Sequence, residues 1–145
     1  DGGDVVLHPG SGSPAKCWPV EKFIKLADKL KRKRRSVRIL IGEVETERLT
    51  ESQIAALKNA GDVRQPQTYV DLLNELRTAS AVVGNDSGPA HLAGVIGAAT
   101  VALFGPTDPA VWRPIGPRVR VLRHQPIESL SVDDVLHAVM DSIGG

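Results

Sequence analysis

The sequence predicts an α/β fold, a doubly wound parallel sheet with helices on both faces, and two observations carry that prediction. Apolar strand signals alternate with helical periodicity along the whole chain, the pattern of parallel strands joined by crossover helices. Two strand signals also run directly into small-residue loops that open helices, Pro9-Gly10-Ser11-Gly12-Ser13 and Gly84-Asn85-Asp86-Ser87-Gly88. At 145 residues the chain is expected to form one domain, 1–145, and a domain of that size buries roughly 70% of its unfolded surface.

Each element has its own signal. Asp4–His8 is the first strand, and Pro19 marks the start of a helix in which Val20, Phe23, Ile24, Ala27 and Leu30 recur at helical spacing. Val37–Ile41 is the second strand, followed by a weakly periodic helix over Glu45–Asn59 and a short strand near Val63. Tyr69, Leu72, Leu73 and Leu76 define a helix opened by a Thr68/Asp71 pair that resembles a capping box. Ala81–Gly84 is a strand, a helix pattern starts behind Ser87, and Thr100–Phe104 and Val119–Leu122 are the last two strands. The final helix places Val132, Val135, Leu136, Val139 and Ile143 on one face, with Ser131 as N-cap and Asp133 and Asp134 in its first turn.

Composition narrows the function classes. The chain is 41% apolar and 24% charged, an ordinary globular balance. A net charge of +1 gives no electrostatic case for a polyanionic partner, and two Trp, one Tyr and two Phe are too few for the stacking platforms of single-strand nucleic-acid binders. The lone Cys17 excludes an internal disulfide and fits a reducing compartment. No apolar run approaches the length of a membrane span, and no secretory leader is visible. The opening Asp1-Gly2-Gly3 reads as linker and points to an excised fragment.

The two loops carry the chemistry. A strand that passes through small residues into a helix aims free backbone N–H groups and the positive helix end at one point, where phosphate can sit. A 3-2-1-4-5-6 strand order places both loops side by side at the carboxyl ends of the strands, where doubly wound domains bind ligands. Two such loops in one small domain predict a diphosphate ligand. Lys16 supplies a point charge behind the first loop, although a lone lysine also reads as a solvated surface group. Glu43, just past the second strand, is either an acid for ribose hydroxyls or an exposed first-turn residue beside Glu45 and Glu47.

Other chemistries fit less well. Gly10-Ser11-Gly12 is neither Gly-x-Gly-x-x-Gly, since position 15 is alanine, nor a Walker A loop. Asp86, Ser87 and His91 invite a hydrolase reading, but Ser87 lies between Asp86 and Gly88, outside the Gly-x-Ser-x-Gly elbow. Serine at a helix entrance is more simply an N-cap or phosphate contact, and His91 is either a structural histidine or a contact to diphosphate or sugar. Four dispersed histidines, one cysteine and no clustered acids predict no metal site. The basic run from Lys29 to Arg35 completes a helix whose negative end favours cations, with weak attraction to an anionic membrane surface as the alternative.

Taken together, His8-Pro9-Gly10-Ser11-Gly12, Lys16-Cys17-Trp18-Pro19, Asn85-Asp86-Ser87-Gly88-Pro89-Ala90-His91-Leu92-Ala93, Ala102-Leu103-Phe104-Gly105-Pro106-Thr107-Asp108-Pro109 and Trp112-Arg113-Pro114 resemble glycosyltransferase family 9, the ADP-heptose:lipopolysaccharide heptosyltransferases. The resemblance covers nearly the whole chain, in order. It implies a GT-B architecture of two Rossmann-like domains, of which this chain is similar to the C-terminal, donor-binding one, with the N-terminal acceptor domain absent.

The resemblance further implies a donor site. Ser11, Gly12 and Lys16 would hold the phosphates, Glu43 would meet the ribose, and Asp86, Ser87, Gly88 and His91 would surround the diphosphate and sugar. Thr107 and Asp108 would shape the neighbouring loop. Lys16 and His91 would stabilise the departing nucleotide diphosphate, while the general base of the inverting reaction belongs to the missing domain, leaving no catalytic base in this fragment. No cofactor is expected. The implied partners are an ADP-heptose-like donor, the N-terminal domain and, through a lipopolysaccharide-type acceptor, the cytoplasmic face of the inner membrane, with no nucleic acid. The fragment alone is expected to bind nucleotide without turnover. A GT-B nucleotide-sugar epimerase and a non-catalytic nucleotide-binding module are the alternatives.

Overall fold

In the computed structural model, which describes residues 3–10, 17–106 and 114–144, six parallel strands form one sheet in the order β3-β2-β1-β4-β5-β6. The strands are β1 (Asp4–His8), β2 (Val37–Leu40), β3 (Asp62–Arg64), β4 (Ala79–Asn85), β5 (Thr100–Phe104) and β6 (Val119–Arg123). The helices are α1 (Val20–Arg32), α2 (Glu43–Arg48), α3 (Glu51–Ala60), α4 (Tyr69–Arg77), α5 (Gly88–Val95) and α6 (Val132–Gly144), with a short 3-10 turn at Ile127–Ser129. The predicted strand order and fold class are therefore the observed ones, and order reverses between β1 and β4. Central strands are level with one another, Leu7 beside Ile39 on one side and Val83 on the other.

Alternation along the strands sends residues to two apolar layers. Val5, Leu7, Ile39, Val83 and Leu103 face α1, α3 and α6, where Phe23, Leu26, Leu30, Leu57, Val135 and Val139 cover them. Val6, Leu40 and Val82 face α4 and α5, covered by Leu76 and Ala93. Burying each of the larger side chains contributes roughly 1.5–3 kcal/mol, and the periodic apolar face read in α1 shares the cover of the first layer with α3 and α6. The edge strand β3 is three residues long with exposed Asp62 and Arg64, and the opposite edge, β6, exposes Arg120 and Arg123.

Local chemistry sets the boundaries. The helix expected over Glu45–Asn59 is two helices, because Leu49 is extended and Thr50 begins afresh as an N-cap, accepting the Gln53 N–H at 3.1 Å while Gln53 Oε1 accepts the Thr50 N–H at 2.9 Å. At α4 the Thr68 hydroxyl caps the Asp71 N–H at 3.0 Å, one half of the expected box. Ser131 caps α6 as its position predicted, accepting from Asp134 N at 3.1 Å. Gly97, at φ +84°, turns the chain between α5 and β5 in a conformation other residues avoid.

Candidate functional site

The strand ends that lead into the two small-residue loops lie side by side, because β1 and β4 are sheet neighbours with His8 level with Gly84. β4 closes on Asn85, which is fully buried. Its Nδ2 donates to the carbonyls of Pro9 at 3.0 Å and Gly10 at 3.4 Å, and its Oδ1 accepts the Trp18 N–H at 2.9 Å. Ser11, Gly12 and Lys16 belong to the stretch between these ends and lie outside the described residues, as do Thr107 and Asp108. Trp18 is itself buried, packed edge-on against Phe23 at 5.0 Å, and its Nε1 donates to Leu130 O at 2.9 Å. Lys22 Nζ also donates to the Leu130 carbonyl, at 3.0 Å, and to that of Glu128.

Beyond Asn85, Ser87 occupies the N-cap of α5 with an extended backbone and makes no side-chain capping bond. Its Oγ is buried and has no hydrogen-bond partner among the described residues. The first N–H groups of a helix have no intrahelical acceptor, and Pro89 in the first turn has no N–H, so the donors at this end belong to Ser87, Gly88 and Ala90. A Cβ built on Gly88 meets nothing within 4 Å, which leaves the approach to these amides open. His91 lies one turn along, 40% exposed, with Nε2 3.4 Å from Oδ1 of the largely buried Asp86. Asp86, Ser87, Gly88 and His91, all singled out in the sequence, are thus gathered at one helix entrance.

The β2 side holds the unexpected acid. Glu43 stands exposed at the opening of α2. Glu45 instead folds back: its Oε1 accepts the Gly42 N–H at 2.7 Å, lies 3.9 Å from His8 Nε2, and its carboxylate fills the space a Cβ on Gly10 would take. Burial holds the His8 imidazole below its ordinary pKa, an effect the Glu45 charge partly offsets. Asn85 and Glu45, for which the sequence alone predicts no role, are the side chains that meet Gly10, and Asn85 also meets Pro9 and Trp18. The Gly42-x-x-Glu45 spacing was a usable signal for Glu45, since a glutamate three residues past an N-cap reaches back to the cap N–H.

Between the ends of β1 and β2, the first turn of α5 and the loop after β3 lies a cleft of about 330 Å³, walled by His8, Gly42, Pro66, Gln67, Tyr69 and Pro89. It opens at the carboxyl ends of β1 and β2, beside the entrance to α5. Among the described residues no group of three or more His, Cys, Asp or Glu could hold a metal ion, and no helix is long and apolar enough to cross a membrane.

Strand order and the placement of this cleft define the class: a doubly wound α/β domain whose candidate site lies at the carboxyl ends of its central strands. Residues 2–136 match the family described as glycosyltransferase family 9 (heptosyltransferase). The chain belongs to that family, which is a family of enzymes. It is 30% identical over 117 residues to lipopolysaccharide heptosyltransferase 3 of Escherichia coli, a match covering 76% of this chain and 33% of the relative. With lipopolysaccharide heptosyltransferase 1 of Pseudomonas aeruginosa it shares 32% identity over 105 residues, covering 72% and 29%. Among solved structures, the fold superposes on a family 9 glycosyl transferase from Veillonella parvula with a TM-score of 0.85 at 21% identity, over 99% of this chain and 47% of that one. It superposes on an E. coli heptosyltransferase with ADP at a TM-score of 0.82 and 19% identity, over 97% and 44%. The fold is that of GT-B glycosyltransferase domains, and the chain spans about a third of the length of the curated relatives it matches.

Proposed function

We propose that these 145 residues are the donor-binding domain of an inverting glycosyltransferase that moves a sugar, heptose from ADP-heptose, to a lipopolysaccharide-type acceptor. The observation that carries the reading is the junction at Asn85, where the first reversal is bonded to the residue that leads into the open amides of α5. An anion beside that entrance meets Ser87, Gly88 and Ala90 N–H groups and the unpartnered Ser87 hydroxyl. The neighbouring cleft of about 330 Å³ offers apolar walls for a base and a place for ribose at its β2 rim, where Glu43 stands.

In this reading Ser11, Gly12 and Lys16 hold the phosphates from the first loop, and Asp86, Ser87, Gly88 and His91 surround the diphosphate and sugar. Transfer forms a bond from the acceptor oxygen to the anomeric carbon and breaks the bond from that carbon to the diphosphate, whose growing charge Lys16, His91 and the α5 amides stabilise. The acceptor hydroxyl gives its proton to a base on a second domain. The chain alone therefore binds nucleotide without turnover, and the whole enzyme works at the cytoplasmic face of the membrane that carries its acceptor.

An NMR titration with ADP, UDP and GDP of the wild type and Lys16→Ala tests the reading. Shifts concentrated at Gly10, Glu43 and Asp86–His91, with affinity reduced at least fivefold in Lys16→Ala, are expected. Saturating nucleotide that leaves Asp86–His91 unmoved would sink it, and sugar isomerisation without acceptor would favour an epimerase.

A further inference from the structure

We infer that the basic run closing α1, Lys31, Arg32, Lys33, Arg34 and Arg35, is a docking patch for an anionic lipid bilayer, set at the end of the sheet away from the candidate site. The inference is independent of what the cleft binds. Of the chain's 18 Lys and Arg, six fall within residues 29–35, which hold no acid, so the other residues set 12 cations against all 17 acids. A net charge of +1 therefore conceals a concentrated positive end on a negative body.

The helix alone does not account for the run. Lys29, Lys31 and Arg32 lie in the last turn of α1, where cations complement the negative helix end, but that attraction falls off within the turn. Lys33 is the C-cap, and Arg34 and Arg35 lie beyond it. The Arg35 N–H bonds back to Leu30 O at 3.0 Å, and the turn that allows this holds Arg34 at φ +65°. Glycine is the usual residue in that left-handed position, and a residue with a side chain costs stability there. An arginine at this point adds charge to a crowd of like charges at the expense of the fold, and such an outlier argues for a use of the charge.

The patch is free and faces away from the cleft. Lys31, Arg32, Lys33 and Arg34 are exposed, and none of the five forms an ion pair among the described residues, whereas Lys29 is paired with Asp133 at 3.0 Å. Lys31 Nζ donates to Asn59 O at 3.2 Å, which brings the end of α3 and its exposed Lys58 alongside. Ser36 O accepts the Val5 N–H at 2.8 Å, so the run lies at the amino ends of β1 and β2. The first turns of α1 to α4 gather Glu21, Glu43, Glu45, Glu51 and Asp71 at the other end. With its 13 residues α1 is about 20 Å long, so those acids lie beyond a Debye length, about 10 Å at 0.1 M salt, from a bilayer at the positive end. Nucleic acid is the poorer fit, because the cations end in one tight turn instead of forming a track, and residues 25–36 contain no aromatic to stack on a base. Clustered Lys and Arg of this kind fit anionic headgroups, each cation contributing about fivefold to partition.

Vesicle co-sedimentation of the 145-residue chain needs neither nucleotide nor acceptor, so its outcome is separate from that of the donor reading. Vesicles of equal parts phosphatidylglycerol and phosphatidylcholine should bind the wild type at about 0.1 M salt and release it at about 1 M, where the Debye length is about 3 Å. Pure phosphatidylcholine vesicles should leave it in solution. Arg34→Glu should weaken binding at least tenfold, and Arg123→Glu, the same change in net charge at the carboxyl end of β6, less than twofold. Arg34→Gly separates charge from fold, since loss of the left-handed arginine should raise the urea midpoint while vesicle affinity falls about fivefold. Should Arg34→Glu not fold, Arg34→Gly decides alone. The proposal is overturned by a wild type that does not distinguish the two vesicles, by equal losses in Arg34→Glu and Arg123→Glu, or by wild-type vesicle affinity in Arg34→Gly. Tighter binding to double-stranded DNA than to the anionic vesicles at the same salt overturns it in favour of a nucleic-acid patch.

Discussion

The carboxylate of Glu45 occupies the space that any side chain on residue 10 would need, while accepting the Gly42 N–H at 2.7 Å. A side chain at residue 10 therefore has to displace the end of the Glu45 side chain, and no backbone atom is among those it meets first. Gly10→Ala should destabilise the fold by about 1 kcal/mol, because the flexible Glu45 side chain swings aside and gives up its bond to the cap, and Glu45→Ala by about the same amount. In the double variant the Gly10→Ala penalty should largely vanish, because the two residues share one volume. Strict additivity in urea unfolding would contradict this arrangement.

His8 predicts a pH dependence of stability. Its folded pKa lies below the ordinary 6.5 because burial disfavours the imidazolium more than Glu45 favours it. Between the depressed folded value and 6.5 the unfolded chain binds more protons, so stability rises with pH through that window and is lost as pH falls through it. The unfolding free energy of wild type should decline more steeply below pH ~6.5 than that of His8→Leu. Parallel curves for the two proteins would remove His8 as the cause.

The cation Arg38 lies in β2 with its side chain only 6% exposed, bonded to Asp4 Oδ2 at 2.9 Å and Glu75 Oε1 at 2.6 Å, with Thr78 Oγ1 at 3.0 Å. Arg38→Ala strands these partly buried acceptors and should cost about 3–5 kcal/mol. Arg64 also reaches Glu75 Oε1, at 3.1 Å, but is 45% exposed, and Arg64→Ala should cost under about 1 kcal/mol. Chemical denaturation of both variants checks the contrast, and comparable losses would mean that burial does not decide it.

Much of the fold was legible because strand signals and helical faces follow fixed periods. Leu7, Ile39 and Val83 lie where alternation places them, and the α1 stripe covers them. The break between α2 and α3 escaped because apolar periodicity there is weak, although Thr50 and Gln53 spelled out a fresh helix start. At the site, the helix entrance at Ser87 could be read from its small residues and proline. The carboxamide of Asn85 could not, since its partners are backbone atoms 67 to 76 residues away. The Gly42-x-x-Glu45 spacing does separate Glu45 from Glu43 as the acid that reaches back to the cap, but that its carboxylate meets Gly10 is decided only by the fold.

Open sheets invite growth at their margins, where unpaired main-chain groups can recruit a strand from another molecule. Here one margin is only the three residues of β3, with Arg64 paired to Asp62 and Glu75, and the other is β6, with Arg120 paired to Asp141. A second copy adding itself at either border would have to strip water from those charges before gaining a single ladder bond. The same pairs that contribute little to folding thus discourage edge-to-edge aggregation.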